Sequence, residues 1–166
     1  MRMFIIGTGS HARKIYHYAM DSGWQIAAFI DEARDAASPI DSIPLVQLDD
    51  LSEPVTDEVA FVAIGHPDVR RRIMDRLASA GWIFPSIVHR TAWVAPDSLL
   101  EDGVLVAAGA VVESGSTVAR GAIIDIGVLV DHDCCVEAFC HLRPGEIYGP
   151  RSVIATPAPR CNKCTE

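Results

Sequence analysis

A histidine between two aspartates is a combination that can move a proton. Residues 130–145 read VDHDCCVEAFCHLRPG, which places His132 between Asp131 and Asp133 and a second histidine, His141, further along the same stretch. An imidazole titrates near neutral pH, and a neighbouring carboxylate can orient its ring and stabilise its charged form. Such a group can take a proton from an attacking amine or hydroxyl. The same residue types also occur on solvated corners with no chemical role. What His132 does therefore depends on the elements that hold it.

Those elements follow a period of six. Stepping from Val94 gives Val94, Leu100, Val106, Val112, Val118, Ile124, Val130, Val136, Leu142, Tyr148 and Ile154, all aliphatic except Tyr148. The residue two places earlier is mostly small, as at Ser98, Ala110, Ser116, Ala122, Cys134, Cys140 and Ser152. Glycines recur at Gly103, Gly109, Gly115, Gly121 and Gly127. Six fits neither a helical face nor a simple strand alternation. It fits a short strand and a turn, repeated, with each aliphatic pointing inward so that stacked rungs bury one continuous column. Three such units make one triangular coil, and counting from Val94 gives fewer than four coils. Cys134 and Cys140 fall in the small-residue slot, where a buried thiol acts as a small hydrophobe rather than a metal ligand. Cys161-x-x-Cys164 in the tail supplies only two of the four ligands of a structural zinc site, and no metal is expected.

The first half alternates between periods of two and 3.6. MFIIGTGSHARKIYHYAMDSGWQIAAFIDE reads as strand, glycine turn, helix and strand; EVAFVAIGH reads as a later strand and PDVRRRIMDRLASAG as a helix opened by Pro67. The intervening DEARDAASPIDSIP reads as a polar surface loop. This alternation implies a parallel sheet. Gly7-x-Gly9-x-x-Ala12 with Asp31 downstream matches the glycine fingerprint that seats a phosphate at a helix N-terminus. The same glycines also suit a plain strand–helix turn. The unit is half the size of a full dinucleotide domain, so one nucleotide group fits better than NAD. A nicotinamide-dependent oxidoreductase is the weaker reading, because residues 90–154 offer no hydride-transfer site. The expected division is a Rossmann-like unit over 1–85, a repeat domain over 86–156 and a tail over 157–166. WIFPSIVHRTAW joins the halves without a Gly/Ser-rich linker, so they are expected to pack as one body.

The totals narrow the setting. A chain of 166 residues with 49% hydrophobic and 22% charged residues is globular in composition. Its net charge of −8 argues against nucleic acid or an anionic membrane as partner. No stretch reads as a signal sequence or reaches transmembrane length, and a cytoplasmic location with reduced cysteines is expected.

Taken in order, IIGTGSHA, AAFIDE, VAIGHP, SIVHRTAWVAP, GAVVESGSTVARGAIIDIGVLVDHDC and HLRPG resemble one family. These are the bacterial sugar acetyltransferases related to the UDP-4-amino-sugar N-acetyltransferases of the bacillosamine pathway and to the sialic acid O-acetyltransferases. The resemblance implies an α/β Rossmann-like unit followed by a short left-handed parallel β-helix; the hand comes from the resemblance, since crossover preferences favour the opposite. It implies acetyl-CoA as donor, a UDP-sugar or related sugar as acceptor, and a homotrimer with CoA between subunits. His132 corresponds to the family's general base, with Asp131 or Asp133 orienting it. His141 falls near the acetyl-CoA arm. Gly7, Gly9, Ser10, His11 and Asp31 fall where the nucleotide of the sugar is held. Whether nitrogen or oxygen is acylated stays open.

Two departures stand out. An amide N–H one coil beyond the base serves the family as oxyanion donor, and that position here is Pro150, which has no N–H. Gly149 beside it is the candidate replacement. The repeat also stops after Ile154, at ATPAPRCNKCTE, whose prolines suit no rung. These departures favour an alternative: a catalytically impaired homologue that binds nucleotide-sugar and forms trimers without turnover.

Overall fold

The computed structural model describes residues 1–155. Cys161 and Cys164, with Pro157 and Pro159, lie outside the described residues. The chain begins with β1 (Arg2–Ile6), α1 (Ser10–Asp21), β2 (Gln25–Asp31), β3 (Leu45–Gln47), a 3-10 turn at Leu48–Asp50, β4 (Glu58–Val62) and α2 (Pro67–Ser79). The strands form a parallel sheet in the order β3-β2-β1-β4. Alternation along β1 sends Met3 and Ile5 to one side, where they pack with Ala12, Ile15 and Ala19 of α1. It sends Ile6 to the other side, against Ile73, Met74 and Leu77 of α2. α2 starts at Pro67, as its sequence implied, and Gly81 beyond its end takes φ +88°. β3 is an addition to the sequence reading: it follows directly on the stretch expected to be loop and pairs at the edge of β2.

The second half is a three-sided prism of two-residue strands. In chain order they are β5 (Ile87–Val88), β6 (Trp93–Val94), β7 (Leu99–Leu100), β8 (Leu105–Val106), β9 (Val111–Val112), β10 (Thr117–Val118), β11 (Ile123–Ile124), β12 (Leu129–Val130), β13 (Cys135–Val136), β14 (His141–Leu142), β15 (Ile147–Tyr148) and β16 (Val153–Ile154). They stack into three parallel sheets, β5-β8-β11-β14, β6-β9-β12-β15 and β7-β10-β13-β16, giving a left-handed β-helix. The expected column is its core: Val106, Val112, Val118, Ile124, Val130 and Val136 are fully buried, with Val94, Leu100, Tyr148 and Ile154 partly buried at the ends. Cys134 and Cys140 are buried in it. One rung precedes the sequence count. β5 pairs with β8, although Val88 is too exposed at the prism's end to join the column.

The sheet β5-β8-β11-β14 is the face that meets the first half. Its outward row Ile87, Leu105, Ile123 is buried in the same cluster as α1 and the sheet above it. The next residue in that row, in register with Ile123, is His141. The outward rows of the other two faces carry exposed apolar side chains, including Trp93, Leu129 and Ile147 on one and Leu99 and Val153 on the other.

Candidate active site

The glycine turn between β1 and α1 opens a cavity of about 270 Å³ whose lining includes Gly7, Gly9, Ser10, His11 and Asp31. These are the residues expected to hold a nucleotide. Thr8 and the 63–65 segment complete the wall. The two glycines do different work. Gly7 has φ +112°, and a Cβ on it would stand 3.1 Å from the Ala63 carbonyl oxygen, so both conformation and space require glycine. Gly9 caps α1 with ordinary backbone angles and open space on its free face, which leaves the helix N-terminus accessible to an anion. Asp31 ends β2 and accepts from the Thr8 hydroxyl at 2.6 Å and the Ala33 amide at 2.9 Å.

His11 stands at the back of this cavity, where α1 meets the prism. Its ring centroid is 6.0 Å from that of His141. His141 Nε2 is 3.1 Å from Asp125 Oδ2, and the other oxygen of Asp125 accepts from Lys14 Nζ at 2.6 Å. Burial drives the Asp125 carboxyl up, but hydrogen bonds from His141, Lys14 and the Ile126 amide outweigh it and hold the group below the usual carboxylate range. Burial, with the nearby Lys14 charge, lowers His11 to about 4, so it is neutral at pH 7. Its Nε2 is buried and makes no hydrogen bond among the described residues. A bound polar group would satisfy that atom.

His132 occupies a corner of the prism between β12 and β13. The turn residue of each corner, from Gly103 to Arg151, takes the left-handed conformation; Asp133 fills this position at φ 59°. Aspartate tolerates that region better than most residues. There its Oδ2 lies 2.8 Å from His132 Nδ1. An ionised carboxylate only accepts, so Nδ1 carries the proton and Nε2 is left to receive another. The side chain is 46% exposed. Asp131 takes a different part: its Oδ1 accepts from the backbone N–H of His132 at 2.7 Å. The sequence left the choice between the two aspartates open; Asp133 is the one on the ring. Beside this corner a smaller cavity of about 220 Å³ is lined by Asp131, Glu113, Val111, Leu129, Ile147 and Tyr148. The Tyr148 hydroxyl donates to Glu146 at 2.6 Å, and burial together with that carboxylate pushes it up to about 12.

The register places Pro150 over His132. Val130 pairs with Tyr148, and the Arg151 amide donates to the His132 carbonyl at 3.0 Å. Gly149 offers an N–H next to it, while its carbonyl accepts from Cys134 Sγ and the Ser152 hydroxyl. His132 and His141 do not meet. The edge between β12 and β13 lies opposite the face that carries His141, so the width of the prism separates His132 from the glycine cavity of its own chain. Sequence reasoning missed Asp125, Lys14 and Arg70. Only Arg70 left a local signal: it shares a helical stripe with Ile73, Met74 and Leu77 and is equally buried.

The sequence profile of the PglD N-terminal domain matches residues 2–77. The crystal structure of PerB from Caulobacter crescentus, in complex with CoA and GDP-perosamine, is 33% identical, with a TM-score of 0.79 over 89% of this chain and 70% of that one. The acetyltransferase domain of PglB from Neisseria gonorrhoeae, in complex with acetyl coenzyme A, is 29% identical, with a TM-score of 0.78 over 88% and 72% of the two chains. WeeI from Acinetobacter baumannii shares the fold at 18% identity and a TM-score of 0.78, over 89% of this chain and 72% of its own.

Proposed function

The chain belongs to the hexapeptide-repeat nucleotide-sugar acetyltransferases and is an acyltransferase, and on that premise we propose that it acetylates a nucleotide-linked amino sugar from acetyl-CoA with His132 as general base. The observation that carries this reading is the His132–Asp133 pair at 2.8 Å on an open corner. Bound acetyl-CoA supplies an activated acetyl thioester. His132 Nε2 takes the proton of the attacking sugar amine or hydroxyl, and Asp133 steadies the imidazolium that results. The glycine cavity holds the nucleotide: the α1 N-terminus faces its phosphates, and Asp31 faces its hydroxyls. His141 reaches the bound donor or sugar where the cavity floor meets β14. Gly149 supplies the N–H that Pro150 lacks. The groove beside His132 is apolar along Val111, Leu129 and Ile147 and suits the uncharged arm of the donor, while Glu113 and Asp131 repel its phosphates.

The separation of His132 from the cavity of its own chain supports a site completed between copies. The face carrying exposed Trp93, Leu129 and Ile147 is the surface to bury in that contact, and three copies close the ring. We assign the first 85 residues to sugar-nucleotide binding and 86–156 to acyl transfer, in the cytoplasm. Among the described residues no helix is long and apolar enough to cross a membrane.

The test is release of free CoA from acetyl-CoA in the presence of GDP-perosamine or a UDP-4-amino sugar, with light scattering to give the assembly size. Turnover by the wild type, lost in His132→Ala with nucleotide binding kept, supports the proposal. Pro150 in the donor position favours a second reading, a nucleotide-sugar-binding trimer without turnover. Tight binding of both ligands with no CoA release in the wild type selects it.

A further inference from the structure

Arg70 is an arginine where the pattern of α2 asks for an aliphatic residue. It is 1% exposed. Among the described residues no carboxylate pairs with it. Instead the guanidinium donates to carbonyl oxygens on both halves of the protein. Nη1 reaches Ile64 at 2.7 Å and Gly65 at 2.9 Å. Nε reaches Gly121 at 2.7 Å, and Nη2 reaches Phe139 at 2.6 Å and Cys140 at 3.3 Å. A buried cation held by backbone carbonyls is a costly way to fill a core position, since an apolar side chain of similar volume would stabilise at least as well. What the guanidinium adds is direction: its planar fork fixes several acceptors at once.

The acceptors are not scattered. Ile64 and Gly65 line the glycine cavity. Phe139 and Cys140 run directly into His141, and Gly65 faces the His141 ring, with 3.8 Å from its Cβ direction to ring atoms. One side chain thus joins the cavity floor to the strand that carries His141. We infer that Arg70 is a positioning residue that sets His141 against the nucleotide cavity. It touches no reacting group. This rests on the reading above, in which the cavity holds the nucleotide and His141 meets the bound substrates.

The experiment uses the full-length Arg70→Lys variant, which keeps the charge and loses the fork. The ring resonances of His141 are followed by NMR, assigned with His141→Gln, and steady-state kinetics are measured alongside. Positioning predicts a shifted or broadened His141 signal. It also predicts a kcat lower by ~10-fold to ~100-fold, the scale of a misplaced group, with the KM for the sugar nucleotide within about threefold, because the glycine turn is untouched. A lower melting temperature with an unchanged His141 signal and unchanged kcat reduces Arg70 to a structural role and overturns the inference. A moved His141 signal in a protein whose wild type shows no turnover upholds Arg70 and overturns the acetyltransferase reading. If the variant does not fold, hydrogen exchange on the wild type decides. Added GDP or UDP must slow exchange at the Phe139 and Cys140 amides as well as at residues 7–11. Protection confined to residues 7–11 overturns the inference, and protection nowhere overturns it together with the assigned cavity.

Discussion

His132 and His141 come from one short stretch of chain, yet one stands on an open edge and the other in a half-buried seam. The His132 ring has one carboxylate partner among the described residues, contributed by the next residue, and nearly half its side chain is in solvent. His141 shares Asp125 with Lys14, lies beside a half-buried neutral His11, and sits on the face where two halves of the protein join. Local sequence builds the first arrangement, and long-range packing builds the second. An exposed imidazole with one oriented nitrogen can meet a substrate and release a proton to water. A networked one holds its surroundings in place.

Replacement of His132 is the sharpest way to break this contrast. His132→Ala is expected to lower kcat by ~10²–10⁴, the usual weight of a general base. As an exposed substitution it should leave stability within about 0.5 kcal/mol. Turnover with acetyl-CoA and thermal unfolding check the two halves of that statement. A variant that unfolds easily but turns over normally would assign the edge a structural role and dissolve the distinction.

The seam predicts the reverse balance. Asp125→Asn leaves Lys14, which is 24% exposed, without its anion and leaves one acceptor oxygen where Lys14 and His141 had two. Because Lys14 can partly reach water, the expected loss is about 2 kcal/mol of unfolding free energy rather than the larger penalty of a sealed pair. Denaturant unfolding measures it. Nucleotide binding should weaken less than stability does, since Asp125 does not line the cavity.

How much of this was legible beforehand follows the same division. The inward column could be read because each rung repeats the same local choice, and the fingerprint at 7–12 could be read because its residues are neighbours. The role of Asp133 over Asp131 could not, since it depends on which residue takes the left-handed corner. β3 was missed because LVQ is too short and too mixed to stand out after Pro44. The seam was invisible: Lys14 and Asp125 are 111 residues apart, and Arg70 meets Gly121 across 51. No spacing rule reaches that far. Beyond Arg70 in the apolar stripe of α2, the polar seam had an indirect sign, a histidine at the end of an outward row otherwise made of Ile87, Leu105 and Ile123.

Acid should expose the seam before the edge. His11 is held at about 4, mainly by burial, against 6.5 for an ordinary histidine. The unfolded chain therefore takes up the proton first. Stability is full above pH 6.5, falls as pH drops toward 4, and levels off below that. Over that window the loss should be about 2 kcal/mol, allowing for partial relaxation. Lys14 and Arg70 oppose the added charge, and Asp125 partly offsets them. The contribution of Asp125 runs in a lower window: its carboxyl is depressed, so its stabilisation is lost only as pH falls below the ordinary aspartate range. Unfolding free energies of wild type and His11→Asn at pH 7, 5.5 and 4.5 separate the two. The variant should show a flatter slope above pH 4.5, and identical slopes would remove His11 from the seam's electrostatics.

The smallest effect isolates the edge by a matched pair of glycines. Gly109 and Gly115 hold the same kind of corner, at φ +67° and +69°. Alanine at either position pays the left-handed backbone penalty of about 1 kcal/mol. Only Gly115 carries a neighbour's burden: a Cβ there would stand 2.5 Å from Asp133 Oδ1, whereas one on Gly109 meets nothing within 4 Å. Gly115→Ala must therefore move the carboxylate that orients His132, and Gly109→Ala must not. Equal losses of stability are expected, with kcat falling roughly tenfold in Gly115→Ala alone. Because the backbone cost is common to both variants, the kinetic difference reports the Asp133–His132 contact. Equal rates in the two variants would mean that His132 does its work without that carboxylate, and the edge would then owe its chemistry to exposure alone.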